Sequence, residues 1–309
     1  MIASRCFLKV PFRYFYFIDE FCKEFEPKWR AGRVSPGLWQ RNRSYRLSLS
    51  EILTIIVHFH QSHHRNFKHC YTDYVRVYLS SDFPELVSYT RFLEIMSEVT
   101  VPMLTLLTSL LAHPTTANYI DSIKLVVCHN RRIRRHRVFR QLAAHGKSSM
   151  GWFYGFKLHL IVNEKGELIS FFITPGNTPD NNIETVTKLA KRMHGKLFGG
   201  RGYISKDLFA ALWKQGTQLI TGIKRNMKNK LLLLMDKIML RGRGIIETIN
   251  GQLKNIQQIE HTRHRSPTNF GVNLISGLIA YQLQPKKPSL SFTGTEQQLL
   301  TQRFVPVPI

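Results

Sequence analysis

A mixed α/β fold, with one sheet flanked by helices and an all-helical region ahead of it, is what the sequence predicts, on three observations. Up to about residue 113 apolar residues recur at three- to four-residue spacing. From Thr116 they crowd into β-branched runs. Beyond Pro175 helix-like and strand-like segments alternate, the pattern of helices packed on sheet faces. The 309 residues are enough for two domains. The boundaries expected are 1–113 for the helical region, 114–284 for the sheet domain and 285–309 for a loosely structured, proline-containing tail.

The elements follow in order. Tyr14, Phe17, Ile18, Phe21 and Phe25 make one face of a helix over 14–30, and Pro36 and Gly37 lie in the basic link after it. In SLSEILTIIVHFH, Ser48 and Glu51 have capping-box spacing, and Ile52, Ile55, Ile56 and Phe59 line one face. A third helix starts near Ser88 and a fourth follows Pro102. ANYIDSIKLVVC then reads as a strand, and GWFYGFKLHLIVN with GELISFFIT reads as a hairpin turning at Glu164, Lys165 and Gly166. NNIETVTKLAKRMHG is a helix, KLFGG a short buried strand, SKDLFAALWKQG a helix and TQLITGIKR a last strand. A long helix from about Gly244 to Glu260 closes the series.

Charge narrows the function. Lys and Arg number 44 against 20 Asp and Glu, a formal net charge of +24, which is the footprint of a protein that binds a polyanion, most commonly nucleic acid. An apolar share of 43% argues against a disordered basic tail. Cys6, Cys22, Cys70 and Cys128 form no CxxC pair, so neither a disulfide framework nor a cysteine zinc site is expected, and a reducing cytoplasm fits. Arg5, Lys9, Arg13 and Asp19 interrupt the apolar start, and no run of about 18 apolar residues follows, so neither a signal peptide nor a membrane partner is expected.

Asp121 stands inside an apolar strand, where a carboxylate is costly unless paired, hydrogen-bonded or holding a cation. In RGRGIIETINGQLKN, Ile245, Ile246, Ile249 and Leu253 form the apolar face of a helix, while Glu247, Asn250 and Lys254 share another, with Arg243 one turn before Glu247. Such a face is either an ion-paired surface or a metal-binding acid beside a phosphate track.

Arg243, Glu247 and Lys254 also reproduce the Arg, three residues, Glu, six residues, Lys signature around the last acid of many DDE-type insertion-sequence transposases. With YIDS, VCHN, GWFYGFKLHL, TPGN and IIETINGQLKNIQQIEHTRHRS, the chain resembles the insertion-sequence family numbered nine-eighty-two over roughly residues 14 to 288. It departs from the signature at Leu240, where relatives often have Tyr. The resemblance implies an RNase H-like core, reached through an N-terminal DNA-binding region, in which three acids hold two Mg²⁺ (or Mn²⁺) ions for cleavage at element ends and strand transfer. Asp121 would be the first acid and Glu247 the last. Relatives have Gly-Asp where this chain has Gly199 and Gly200, so the middle ligand is missing and this copy is expected to be defective as a catalyst. Asp180 and Asp207 are the conceivable substitutes, although a turn residue and an exposed helix residue explain them more simply.

The implied partners are the element's terminal repeats and target DNA, gathered by a homo-oligomer near the nucleoid. Arg131, Arg132, Arg134, Arg135 and Arg137 in RRIRRHRVFR are expected to touch phosphate, as are Arg243, Lys254, Arg263, His264 and Arg265. His58, His60, His63, His64, His69 and Cys70 invite a zinc reading but lack the spacing of one; the helices at 48–60 and 88–99 could form a helix-turn-helix. Two rivals stay open: a DNA-binding remnant or competitor without catalysis, and an RNase H-like nuclease acting on RNA or structured DNA.

Overall fold

The computed structural model describes residues 11–33, 46–148, 151–223, 227, 232–260, 264–290 and 294. The chain divides into two compact units, one of Met1–Leu110 with Leu253–Gln284 and the other of Leu111–Gln252 with Pro285–Ile309. Among the described residues no single helix is long and apolar enough to cross a membrane.

The first unit is helical. Helix α1 (Pro11–Arg33) buries Ile18 and Cys22, one turn apart, and stacks Phe21, Phe25 and Trp29 in a row. The capping box expected for α2 (Leu49–Phe59) is present, with the Glu51 backbone N–H donating to Ser48 Oγ and the Ser48 N–H to the Glu51 carboxylate. Two short turns, α3 (Phe67–His69) and α4 (Arg76–Tyr78), flank a π-helical turn at Cys70–Val75. Helices α5 (Tyr89–Glu98) and α6 (Thr100–Leu110) follow.

Breaks between these units fall at 110/111 and 284/285, close to the boundaries drawn from the sequence, but a further break at 252/253 divides the span assigned to the sheet domain. Helix α11 (Pro267–Gln282) packs on α2, α5 and α6, so residues 253–284 complete the helical unit instead of the sheet domain. An unbroken row from Val272 to Gln282 is buried, and a helix covered all round must sit at the centre of a helical layer. Gly277 permits that packing, since a Cβ there would stand 2.4 Å from Ile259 Cγ2.

The second unit is built on one mixed sheet. Its strands are β1 (Asn118–Cys128), β2 (Ala144–Ser148), β3 (Gly151–Asn163), β4 (Leu168–Pro175), β5 (Gly195–Gly199) and β6 (Thr217–Thr221). β3 pairs antiparallel with β1 on one edge, and with β2 and then β4 on the other; β5 and β6 continue parallel on the far side of β1. The β3–β4 turn falls where expected, with Gly166 at a positive φ of 75° and Asn163 Oδ1 accepting from the Lys165 and Glu167 N–H groups.

One face of the sheet (Ile120, Ile161, Leu197, Leu219) packs on Val186 and Leu189 of α7 (Ile183–Leu189) and Leu208 and Leu212 of α8 (Lys206–Lys214). On the other, Tyr119 lies against Phe198 and donates its hydroxyl to the Met239 carbonyl of α9 (Leu234–Arg241), 3.1 Å away. The Lys196 ammonium pairs at 2.5 Å with Asp236, a buried carboxylate of α9. The start of the tail is not loose: the Leu290 N–H donates to the Glu164 carbonyl, and Pro288 covers Gly166.

Candidate nucleic-acid site and its acidic centre

Helix α10 (Gly244–Asn255) begins right after Arg243 and brings Asn250 to Asp121, near the start of β1, with Arg243 and Glu247 paired beside it. β1 and β5 run parallel, and their last paired residues are Ile120 and Gly199, so the next residues of the two strands are Asp121 and Gly200. Position 200 therefore stands beside Asp121, and its backbone (φ −70°, ψ 174°) is one any residue adopts, so the conformation does not require glycine there.

The space a side chain at 200 would use is filled by a cation. A Cβ on Gly200 would lie 2.9 Å from Arg243 Nη1. That same guanidinium donates through Nη2 to Glu247 Oε1 at 2.5 Å, while the Glu247 side chain keeps 58% of its exposure. Asp121 Oδ2 accepts from Asn250 Nδ2 at 2.8 Å. Burial pushes the Asp121 carboxyl up to about 6, opposed by the Ser122 backbone N–H and by Arg243, and reinforced by the negative charges of Asp180 and Glu247.

Asp180 belongs to a different cluster. It accepts from Ser122 Oγ at 2.8 Å and from Lys157 Nζ at 2.9 Å. Successive strand residues point to opposite faces, so Ser122 projects away from the side on which Asp121 meets Asn250. Asp207 is an exposed residue in the first turn of α8. Among the described residues no group of three His, Cys, Asp or Glu side chains is placed to hold a metal ion. Neither Asp180 nor Asp207, the two conceivable substitutes for a middle acid, joins Asp121 and Glu247 in such a group among the described residues.

The residues present do not fit a pair of divalent ions. Position 200 offers no carboxylate, an arginine occupies its space, and the remaining acids face Asn250 and Arg243, both donors. Hard cations of this kind need converging oxygens.

The arginine-rich segment has the opposite character. A 3-10 turn at Asn130–Arg135 follows β1, and Arg131, Arg132, Arg134, Arg135, Arg137 and Arg140 are all exposed. Among the described residues none of the six has a carboxylate partner. The segment is held by its apolar side: His136 stacks on Phe139, Phe139 is buried, and the Tyr154 hydroxyl of β3 donates to the Phe139 carbonyl.

The other residues expected to touch DNA, and the histidines of the zinc reading, have varied surroundings. Lys254 is paired with Glu260 at 3.1 Å, and the His264 ring packs edge-on against Phe270, where burial lowers its proton affinity to about 4. Arg265 is exposed, and Arg263 lies outside the described residues. His58 and His60 are core residues whose proton affinities burial lowers to about 4; His58 stacks on Tyr74, and His60 Nδ1 bonds the Gln257 carbonyl. Lys157 was missed by the sequence reading, although a lone lysine within GWFYGFKLHLIVN was a signal that it meets an acid.

A family model described as a transposase DDE domain matches residues 111–267. No curated protein and no solved structure matches the chain.

Proposed function

The chain belongs to the transposase DDE-domain family, and from that premise we propose that it is an insertion-sequence transposase, of the kind numbered nine-eighty-two, that retains DNA binding and has lost strand transfer. The strand order β4-β3-β1-β5-β6, with β5 and β6 parallel to β1, supports an RNase H-like core. In that core Asp121 and Glu247 stand as first and last acids. The arginines after β1, which have no carboxylate partner among the described residues, support contact with DNA phosphates, and the helical unit with its α2 and α5 supports a DNA-binding region ahead of the core.

One observation carries the loss of catalysis: at the residue beside Asp121 the chain has Gly200, and Arg243 fills the space a carboxylate would take. A relative competent for Mg²⁺- or Mn²⁺-dependent transfer would have a third oxygen ligand there. Removing one ligand from a charge-stabilising centre costs most of its rate.

The test is cleavage and joining of a labelled duplex carrying the terminal repeats that flank the gene, with Mg²⁺ or Mn²⁺. The protein as it stands should bind this duplex without cutting it. Gly200→Asp should cut, and Gly200→Asp combined with Glu247→Gln should not. Cutting by the unaltered chain that Glu247→Gln abolishes would overturn the reading. Binding without cutting by every variant would favour a non-catalytic DNA-binding remnant, in which more than one element of the centre has decayed.

A further inference from the structure

Two tryptophans of the sheet unit are exposed, and they are held differently. Trp213 on α8 stacks on Phe209 of its own helix, rings 5.9 Å apart and 15° from parallel. Trp152 opens β3, 64% exposed, directly across from Lys147 of β2. The Lys147 ammonium lies over one side of the indole, 5.6 Å from its centroid. No ring covers the other side among the described residues.

A lone exposed aromatic residue is ordinary on a protein surface. The setting of this one is not: the Asn130 side chain, at the start of the arginine-rich turn, donates to the Trp152 backbone carbonyl at 3.1 Å, so the turn is fastened to β3 at the residue that carries the indole. Trp152 therefore stands next to a turn whose exposed arginines have no acidic partner among the described residues. A protein partner with an apolar face would gain little from one ring among so many cations. A nucleic acid offers phosphates to the arginines and a flat π face to the ring, the combination that single-strand binders use.

We propose that Trp152 is a stacking residue for an unpaired DNA base, presented by the β2–β3 hairpin beside the arginine-rich turn. The inference rests on DNA being the ligand of this domain. Leu160 of β3 pairs with Asp121, and Trp152 lies eight residues before it, roughly 26 Å away at the usual strand rise. The ring would therefore meet the DNA away from the acidic centre, at a place where one strand is opened or its bases are splayed. Arginines would fix the backbone and Trp152 would select the opened form.

The experiment compares the full chain with Trp152→Ala and Trp152→Phe on three labelled DNAs: a short duplex, the same duplex with one bulged 2-aminopurine, and the corresponding single strand. Anisotropy reads affinity and 2-aminopurine fluorescence reads stacking. The unaltered chain should prefer the bulged and single-stranded forms by about tenfold and quench the probe. Trp152→Ala should lose both the preference and the quenching while keeping its duplex affinity, and Trp152→Phe should keep part of each. Undiminished quenching and preference in Trp152→Ala, or an equal loss on all three DNAs, would overturn the proposal and leave the DNA reading standing. Absence of binding to every DNA by the unaltered chain would overturn the DNA reading itself, and this inference with it.

Discussion

The acidic centre near the start of β1 and the arginine-rich turn beyond the strand's other end are both densely charged, yet they treat charge in opposite ways. At the acidic centre each carboxylate meets a protein donor, Asp121 meeting Asn250 and Glu247 meeting Arg243, and on the opposite face of the strand Asp180 meets Ser122 and Lys157. In the arginine-rich turn no cation has a carboxylate partner among the described residues. A centre that satisfies its own charges has little call for an added ion, whereas a run of unpaired cations is unsatisfied until an anion arrives. The contrast fits the proposed reading, in which DNA binding is kept and strand transfer is lost.

The largest effect should come from the open half. Replacing Arg131, Arg132, Arg134, Arg135 and Arg137 together by Ala should weaken duplex binding by about 100-fold or more at physiological salt and flatten its salt dependence, because each phosphate contact releases counterion. Thermal stability should barely change, since the side chains are exposed. A salt-titrated binding series checks this, and an unchanged slope would erase the distinction between the two regions.

Within the closed half the response should be in stability. Lys157→Met leaves the half-buried Asp180 with only Ser122 and should destabilise the sheet unit by ~1–3 kcal/mol, read from denaturant unfolding. No comparable loss is expected for any single arginine of the turn.

Asp121 sharpens the comparison through pH. Its proton affinity is raised in the folded chain, so its stabilising contribution is full below about pH 4, where the carboxyl is protonated folded or unfolded, and is lost as pH rises through about 6. Asp121→Asn should therefore be more stable than the parent above pH 6, by of order 1–3 kcal/mol in chelator-containing buffer, with the difference vanishing below pH 4. Parallel melting curves across that range decide it. The smallest effect belongs to Tyr119→Phe, which removes the hydrogen bond to the Met239 carbonyl at a cost of about 1 kcal/mol.

Much of the sheet unit was legible because its strands carry strong local signals. The apolar run of β1, the long apolar β3 and the Gly166 turn place Asp121, and the glycine pair ending β5 places position 200 beside it. β2 was not legible: Ala144–Ser148 reads AHGKS and owes its strand to pairing with β3. Helix α9 was also missed, and α11, apolar on every side, gives no periodicity by which to assign it to the helical unit. The acids were found from spacing and resemblance, but their partners were not. That Arg243 would turn toward Gly200, and that Asp180 would join Ser122 on the face opposite Asp121, depends on strand register, which a single sequence leaves open.

On the proposed reading Arg243 stands where a middle ligand would be, and the acidic centre assembles no metal site. The most direct test is Mn²⁺ binding to the full chain without DNA, followed by electron paramagnetic resonance and calorimetry, for the unaltered protein and Gly200→Asp. The account predicts no saturable Mn²⁺ site in the unaltered protein and a new one in Gly200→Asp that Asp121→Asn weakens. Saturable binding by the unaltered chain that Asp121→Asn abolishes would contradict it.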